Sequence, residues 1–117
     1  MIEKMGIGID IVEIKRFQEK PFETNENFYK KIFYDSEIEY CLKQSNPYQS
    51  FAAKFAIKES VIKSINKKMS FLNVITDHNY SQPVVKLLRD ESYNFLVSVS
   101  HENLYAIAVV ISEQTKS

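Results

Sequence analysis

The chain has 117 residues, 44% apolar and 26% charged, enough for one domain with an ordinary core and without the composition of a disordered segment. Fifteen Lys and Arg balance fifteen Asp and Glu, which gives no case for a nucleic-acid or membrane-surface protein, although Lys15, Arg16 and Lys20 cluster locally. One cysteine, Cys41, excludes an intramolecular disulfide and a cysteine-based zinc site.

No signal peptide is expected, because Asp10 and Glu13 interrupt the first apolar run, and no stretch approaches the length of a membrane span. These features point to a reduced, cytoplasmic protein of one domain, residues 1–117. The chain has only two glycines, and both lie in the run Gly6 to Ile14, "GIGIDIVEI".

Met5 to Ile14 alternates and predicts a strand. Met5, Ile7, Ile9 and Ile11 share one face, and Gly6, Gly8, Asp10, Val12 and Ile14 share the other. Asp is depleted in strands, and an unpaired buried charge is costly, so Asp10 calls for a partner elsewhere in the chain. The glycines leave its face open to close approach by another group.

Ile14 to Lys20 predicts a short helix stopped before Pro21. Thr24 or Asn25 can cap a second helix, with Phe28, Ile32 and Phe33 at helical spacing. Ser36-x-x-Glu39 reads as a capping box for a third, running to about Lys43. Asn46-Pro47 turns the chain into a fourth, about Tyr48 to Asn66, the strongest local signal. Phe51, Phe55, Ile62 and Ile65 make its apolar stripe. At about 100° per residue Lys58 projects into that stripe and Glu59 lies on its edge. A Lys and a Glu on a largely buried helix require partners.

Beyond Lys68 the period becomes two. Phe71 to Thr76, Pro83 to Leu88, Phe95 to Ser100 and Tyr105 to Ser112 predict strands, the last two joined as a hairpin through His101 to Leu104. The fold class is α+β: an N-terminal strand, helices, then a mainly antiparallel sheet.

Taken singly, Asp10, the Lys58-Glu59 pair, Lys63 and His101 are ordinary residues. Together, Asp10 and Glu59 are two hard carboxylates with no local cation, and two carboxylates plus substrate phosphates form a common Mg²⁺ site. Lys63, one helical turn beyond Glu59, can then meet phosphate oxygens. No Ser-His-Asp order, HExxH, Walker A or GxGxxG motif is present.

Three ordered blocks resemble the holo-acyl-carrier-protein synthase type of 4'-phosphopantetheinyl transferase. They are "GIGIDIVEIKRF", "FAAKFAIKESVIKSI" and "SVSHENLYAIAVVI". They follow the family's G-x-G-x-D-I-V-E-I-x-R opening, its F-A-x-K-E-x-x-x-K helix and its S-x-S-H strand end.

The resemblance implies that Asp10 and Glu59 hold Mg²⁺ beside the coenzyme A pyrophosphate. It makes Lys63 a phosphate and proton-transfer candidate and His101 a further phosphate contact. Lys54, where many relatives have Arg, and Lys58 become coenzyme A contacts. Arg16 and Lys20 become contacts for the acidic helix of acyl carrier protein.

The implied reaction is attack of a carrier-protein serine on the β-phosphate of coenzyme A, in cytoplasmic lipid synthesis. Glu59 or a metal-bound water is the candidate base, and Lys63 and His101 are counted with Glu59 in the catalytic set. The family's short form implies a homotrimer with coenzyme A sites between protomers. The strand from Tyr105 to Ile111 is expected near the three-fold axis.

Two departures bear on the nucleotide pocket. "SINKKM", Ser64 to Met69, replaces a Gly-Thr-Gly turn, with Asn66 the candidate for a left-handed residue. Tyr80-Ser81-Gln82-Pro83 replaces an Asn-Gly-Lys-Pro-like turn. They keep open an alternative: a relative that binds carrier protein or nucleotide with weak transfer or none.

Overall fold

The computed structural model describes residues 4–115. Strand β1, Met5–Glu13, leads into the one-turn helix α1, Lys15–Gln18. A 3-10 turn over Phe22–Thr24 precedes α2, Glu26–Lys30, and α3, Asp35–Leu42. The long helix α4 spans Pro47–Ile65. Strands β2, Val74–Asn79, β3, Gln82–Leu87, β4, Tyr93–His101, and β5, Tyr105–Gln114, complete the chain.

All strand pairs are antiparallel, as the α+β reading expects. One sheet has the order β1-β5-β4, and β2 pairs with β3 in a second. The terminal strand β5 is thus central, with Asp10 opposite Ala108 and Gly8 opposite Val110.

Helix α4 starts where Asn46 accepts a hydrogen bond from the Gln49 amide, with Pro47 at the first helical position. It ends at Asn66, whose φ of 55° and ψ of 43° are left-handed. Asn tolerates that region better than most residues, so the turn forms without the family's glycine.

The helix lies on the glycine face of β1. A Cβ at Gly8 would sit 1.9 Å from the Ser60 carbonyl oxygen, and one at Gly6 would sit 1.8 Å from that of Ser64. The close approach expected at the glycines is made by the α4 backbone itself. Ser60 Oγ donates to the Ala108 carbonyl, and Ser112 Oγ to that of Ser64, pinning the helix to β5.

Gly8→Ala should therefore push α4 off the sheet, with a loss of about 3 kcal/mol in denaturant unfolding. A loss below about 0.5 kcal/mol would mean that the two layers yield freely.

The core lies between the sheet, α4 and the short helices. Phe17, Tyr29, Phe33 and Phe51 are buried together, with the Tyr29 and Phe51 ring centroids 4.6 Å apart. Tyr29's hydroxyl is 2.7 Å from the Lys20 carbonyl oxygen, so its polar end is satisfied.

Two local expectations shift. The third helix starts at Asp35, and the Tyr34 amide donates to Glu37 Oε1 at 2.7 Å, replacing the expected Ser36-Glu39 box. Glu37 is drawn inward by buried partners that Glu39, exposed on the other side, does not meet. The expected strand at Phe71 begins as a 3-10 turn, because Ser70 Oγ accepts from the Leu72 amide.

Candidate active site

The partner of Asp10 is Lys63. Its ammonium donates to Asp10 Oδ1 at 3.1 Å and to the Ile9 carbonyl oxygen at 3.1 Å. Asp10 is carried by β1 on the face it shares with Gly8 and Val12, and its side chain keeps 17% exposure against 53% for Lys63. The pair thus sits at the seam between β1 and α4, reachable from solvent.

Glu59 lies one turn before Lys63, half-buried on the same seam. Burial raises its pKa, and the Asp10 charge raises it further, while Lys63 and Arg16 act in the opposite direction. Two carboxylates and two cations therefore share one small region. Arg16, on α1, places its guanidinium 5.0 Å from the Phe55 ring centroid and remains exposed. Lys20 does the same over Phe28 at 5.2 Å.

Beyond this seam a groove of about 510 Å³ is lined by Glu59, Ile62, Lys63, Asn66, Lys67 and Lys68, with Met69 and Phe71. Its charges suit a polyphosphate. The donor set also fits Mg²⁺. Two hard carboxylates repel each other here, and among the described residues no group of three or more His, Cys, Asp or Glu competes for an ion. A site with two protein carboxylates leaves the remaining positions to water and phosphate, which is how Mg²⁺ is usually held.

Lys54 and His101 lie elsewhere. They line a second cleft of about 190 Å³ with Tyr40, Ile57, His78 and Pro83. His101 is exposed at the end of β4, opposite Ala106. Lys54 is 3% exposed, and its ammonium donates to Thr76 Oγ1 at 3.0 Å and lies 4.8 Å from the Tyr40 ring centroid. Burial lowers its pKa, opposed by Cys41, Glu37 and Asp77.

Lys58 is not a surface ligand, which corrects its assignment as a coenzyme A contact. It is fully buried, and its ammonium meets Glu37 Oε1 at 2.9 Å. It also meets the carbonyl oxygens of Val74 at 2.8 Å, Ile32 at 2.9 Å and Phe71 at 3.2 Å. Its three protons are thereby committed inside the core.

Sequence reasoning missed Glu37 and His78. Glu37 is the anionic partner that the buried α4 lysine required, 21 positions away in the chain. His78 stacks on Tyr40 with centroids 4.3 Å apart, and its pKa is lowered by burial and by Lys54. Extending the period-two pattern beyond Thr76 puts His78 on the inner face with Val74 and Thr76, which was the available signal.

A family model described as the 4'-phosphopantetheinyl transferase superfamily matches residues 6–110. The chain is 36% identical to a holo-[acyl-carrier-protein] synthase of Thermodesulfovibrio yellowstonii over 114 residues, covering 95% of this chain and 98% of that one. It is 39% identical to that of Chlamydia trachomatis over 117 residues, covering 92% and 98%.

Among solved structures, the Helicobacter pylori holo-[acyl-carrier-protein] synthase in complex with coenzyme A superposes with a TM-score of 0.81 at 28% identity. That match covers 92% of this chain and 99% of the other. The Bacillus anthracis synthase, also with coenzyme A, gives 0.79 at 26%, covering 94% and 96%.

Proposed function

The chain belongs to the 4'-phosphopantetheinyl transferase superfamily, and from that premise we propose that it transfers 4'-phosphopantetheine from coenzyme A to a serine of an apo-acyl carrier protein. The observation that carries this reading is the seam where Asp10, Glu59 and Lys63 converge beside a basic groove.

In the proposed step the serine oxygen bonds to the β-phosphorus of coenzyme A, and its proton passes to Glu59. The bond from that phosphorus to the bridging oxygen breaks, and adenosine 3',5'-bisphosphate leaves with the electron pair. Asp10 and Glu59 would hold Mg²⁺, which when bound supplies charge neutralisation on the pyrophosphate. Lys63 turns from Asp10 toward phosphate oxygens and stabilises charge that develops there. The raised proton affinity of Glu59 suits a general base. Release of adenosine 3',5'-bisphosphate, followed by chromatography, should require coenzyme A, carrier protein and Mg²⁺ together. Release without carrier protein would mean hydrolysis and overturn the transfer reading.

We assign carrier docking to Arg16 and Lys20, whose exposed cationic heads suit an acidic helix. Arg16→Glu should raise the KM for carrier protein severalfold more than the KM for coenzyme A. Equal rises would move Arg16 into the nucleotide site.

We also propose a homotrimer. The outer face of the three-stranded sheet exposes Ile7 by 69%, Leu96 by 69%, Ile11 by 59% and Ile9 by 57%, an apolar surface that a monomer would leave in water. Lys54 and His101 line a cleft apart from the Glu59 and Lys63 groove. A pocket shared between neighbouring copies lets both sets reach one coenzyme A, through heterologous interfaces with closed cyclic symmetry. Light scattering should give a trimer, and a transferring monomer would refute the shared pocket.

Among the described residues no helix is long and apolar enough to cross a membrane. The lone thiol of Cys41 is buried, and burial pushes its pKa up to about 12, which keeps it unreactive. We place the reaction in the cytoplasm, serving fatty acid synthesis.

A further inference from the structure

Lys54 is nearly buried, and among the described residues no carboxylate forms an ion pair with it. The core beneath it holds two ammonium groups, Lys54 and Lys58, but one carboxylate, Glu37. Glu37 Oε1 is taken by Lys58 and by the Tyr34 amide. Its Oε2 accepts from the Thr76 amide at 2.9 Å and from Thr76 Oγ1 at 2.5 Å. Thr76 Oγ1 in turn accepts from Lys54 at 3.0 Å.

Among the described residues that is the one hydrogen bond the Lys54 ammonium donates, out of three available donors. The other protons belong to an ammonium on the wall of the cleft that His78 and His101 also line. The Tyr40 ring, 4.8 Å away, faces one side of this ammonium, and its uncommitted donors at the cleft suit an anion from outside.

The geometry of the Thr76 hydroxyl has a second consequence. A threonine hydroxyl has one proton, and Glu37 Oε2 claims it because a carboxylate only accepts. The oxygen lone pair is therefore fixed toward Lys54. This is a relay of fixed polarity: carboxylate, hydroxyl, ammonium. It holds a long, flexible side chain in one position.

We propose that Thr76, oriented by Glu37, is a positioning residue that holds the Lys54 ammonium at the cleft for a phosphate of coenzyme A. The inference rests on the transferase reading for the identity of that anion. Thr76 itself touches no substrate and acts through Lys54. The family resemblance makes Lys54 a coenzyme A contact but names nothing to aim it. A lysine lacks the planar, pre-organised fork of an arginine, so it depends more on a fixed partner.

The test compares Thr76→Val, Thr76→Ser, Lys54→Ala and the Lys54→Ala/Thr76→Val double variant in the full-length protein. Coenzyme A Kd is read by calorimetry, KM and kcat by transfer, and the unfolding midpoint as a control. Thr76→Val should raise Kd and KM about tenfold, the loss of one well-placed charged contact, and leave kcat within about twofold. Thr76→Ser, which keeps the hydroxyl, should return to near the parent value. The double variant should bind no worse than Lys54→Ala alone.

Unchanged Kd in Thr76→Val would overturn the proposal. So would additive losses in the double variant, or a Thr76→Ser variant as weak as Thr76→Val, which would assign the effect to packing. A parent protein that binds coenzyme A but transfers nothing would sink the transferase reading alone. The Kd series would still decide the relay.

Discussion

Asp10→Asn should lower transfer at least about a hundredfold while the chain stays folded. The substitution keeps the shape and removes the charge. Asp10 is the residue against which Lys63 is held at 3.1 Å and whose charge raises the pKa of Glu59. With Asn in place the site keeps one hard anionic ligand of two, and a divalent ion held by a pair of carboxylates loses much of its binding. Glu59 also loses its repulsive neighbour, so its pKa should fall toward that of an ordinary glutamate. The structural cost should be small, because Asp10 is partly solvated and its ion pair is half-exposed. Release of adenosine 3',5'-bisphosphate measures the rate, and NMR titration of Glu59 measures the second effect. Turnover within about threefold of the parent would show that Asp10 is only the partner of Lys63.

Lys58→Ala should produce the largest loss of stability of any single change near the site, about 3–5 kcal/mol. Both members of the Lys58–Glu37 pair are fully buried. Removing the ammonium leaves Glu37 as a buried anion with only the Thr76 and Tyr34 donors, and frees the carbonyl oxygens of Ile32, Val74 and Phe71. Five segments lose a common tie: the link between α2 and α3 at Ile32, α3, α4, the 3-10 turn at Phe71–Asn73 and β2. The Lys58→Met/Glu37→Gln double variant should recover part of the loss, because an uncharged pair of similar volume leaves no stranded charge, and the introduced amide still meets the Thr76 and Tyr34 donors through its oxygen. Urea unfolding decides it. A Lys58→Ala loss below about 1 kcal/mol would mean that water reaches Glu37 and solvates it.

The elements were legible in the sequence where one signal dominated. The faces of β1 follow directly from its alternation: Val12 is buried at 2% exposure, and Ile7 and Ile9 face outward. Helix α4 declared itself by its stripe, its Asn46-Pro47 start and its placement of Lys58 inward. The Asp10 and Glu59 association came from asking which charges lacked partners.

What escaped detection was long-range. The neighbour of Gly6 and Gly8 is helix backbone more than 50 positions away, and no local pattern distinguishes that from an open ligand face. The inward turn of Lys58 was legible, but its partner Glu37, 21 positions away, was not, and only that pair rules out the coenzyme A contact the resemblance implies. His78 lines the Lys54 cleft together with Tyr40, which stacks on it from α3, a long-range contact that the β2 pattern alone does not reveal. The separation of the Lys54 and His101 cleft from the Glu59 groove also lies outside sequence, since Lys54 and Glu59 share one helix and differ only in the face they present.

The most direct measurement is the intact mass of an apo-acyl carrier protein after incubation with this chain, coenzyme A and Mg²⁺. The account predicts that the carrier gains one phosphopantetheine, at its serine, and that the Asp10→Asn chain leaves the carrier unmodified over the same interval. A carrier that stays apo with the parent chain, while a known synthase modifies it in parallel, would contradict the account.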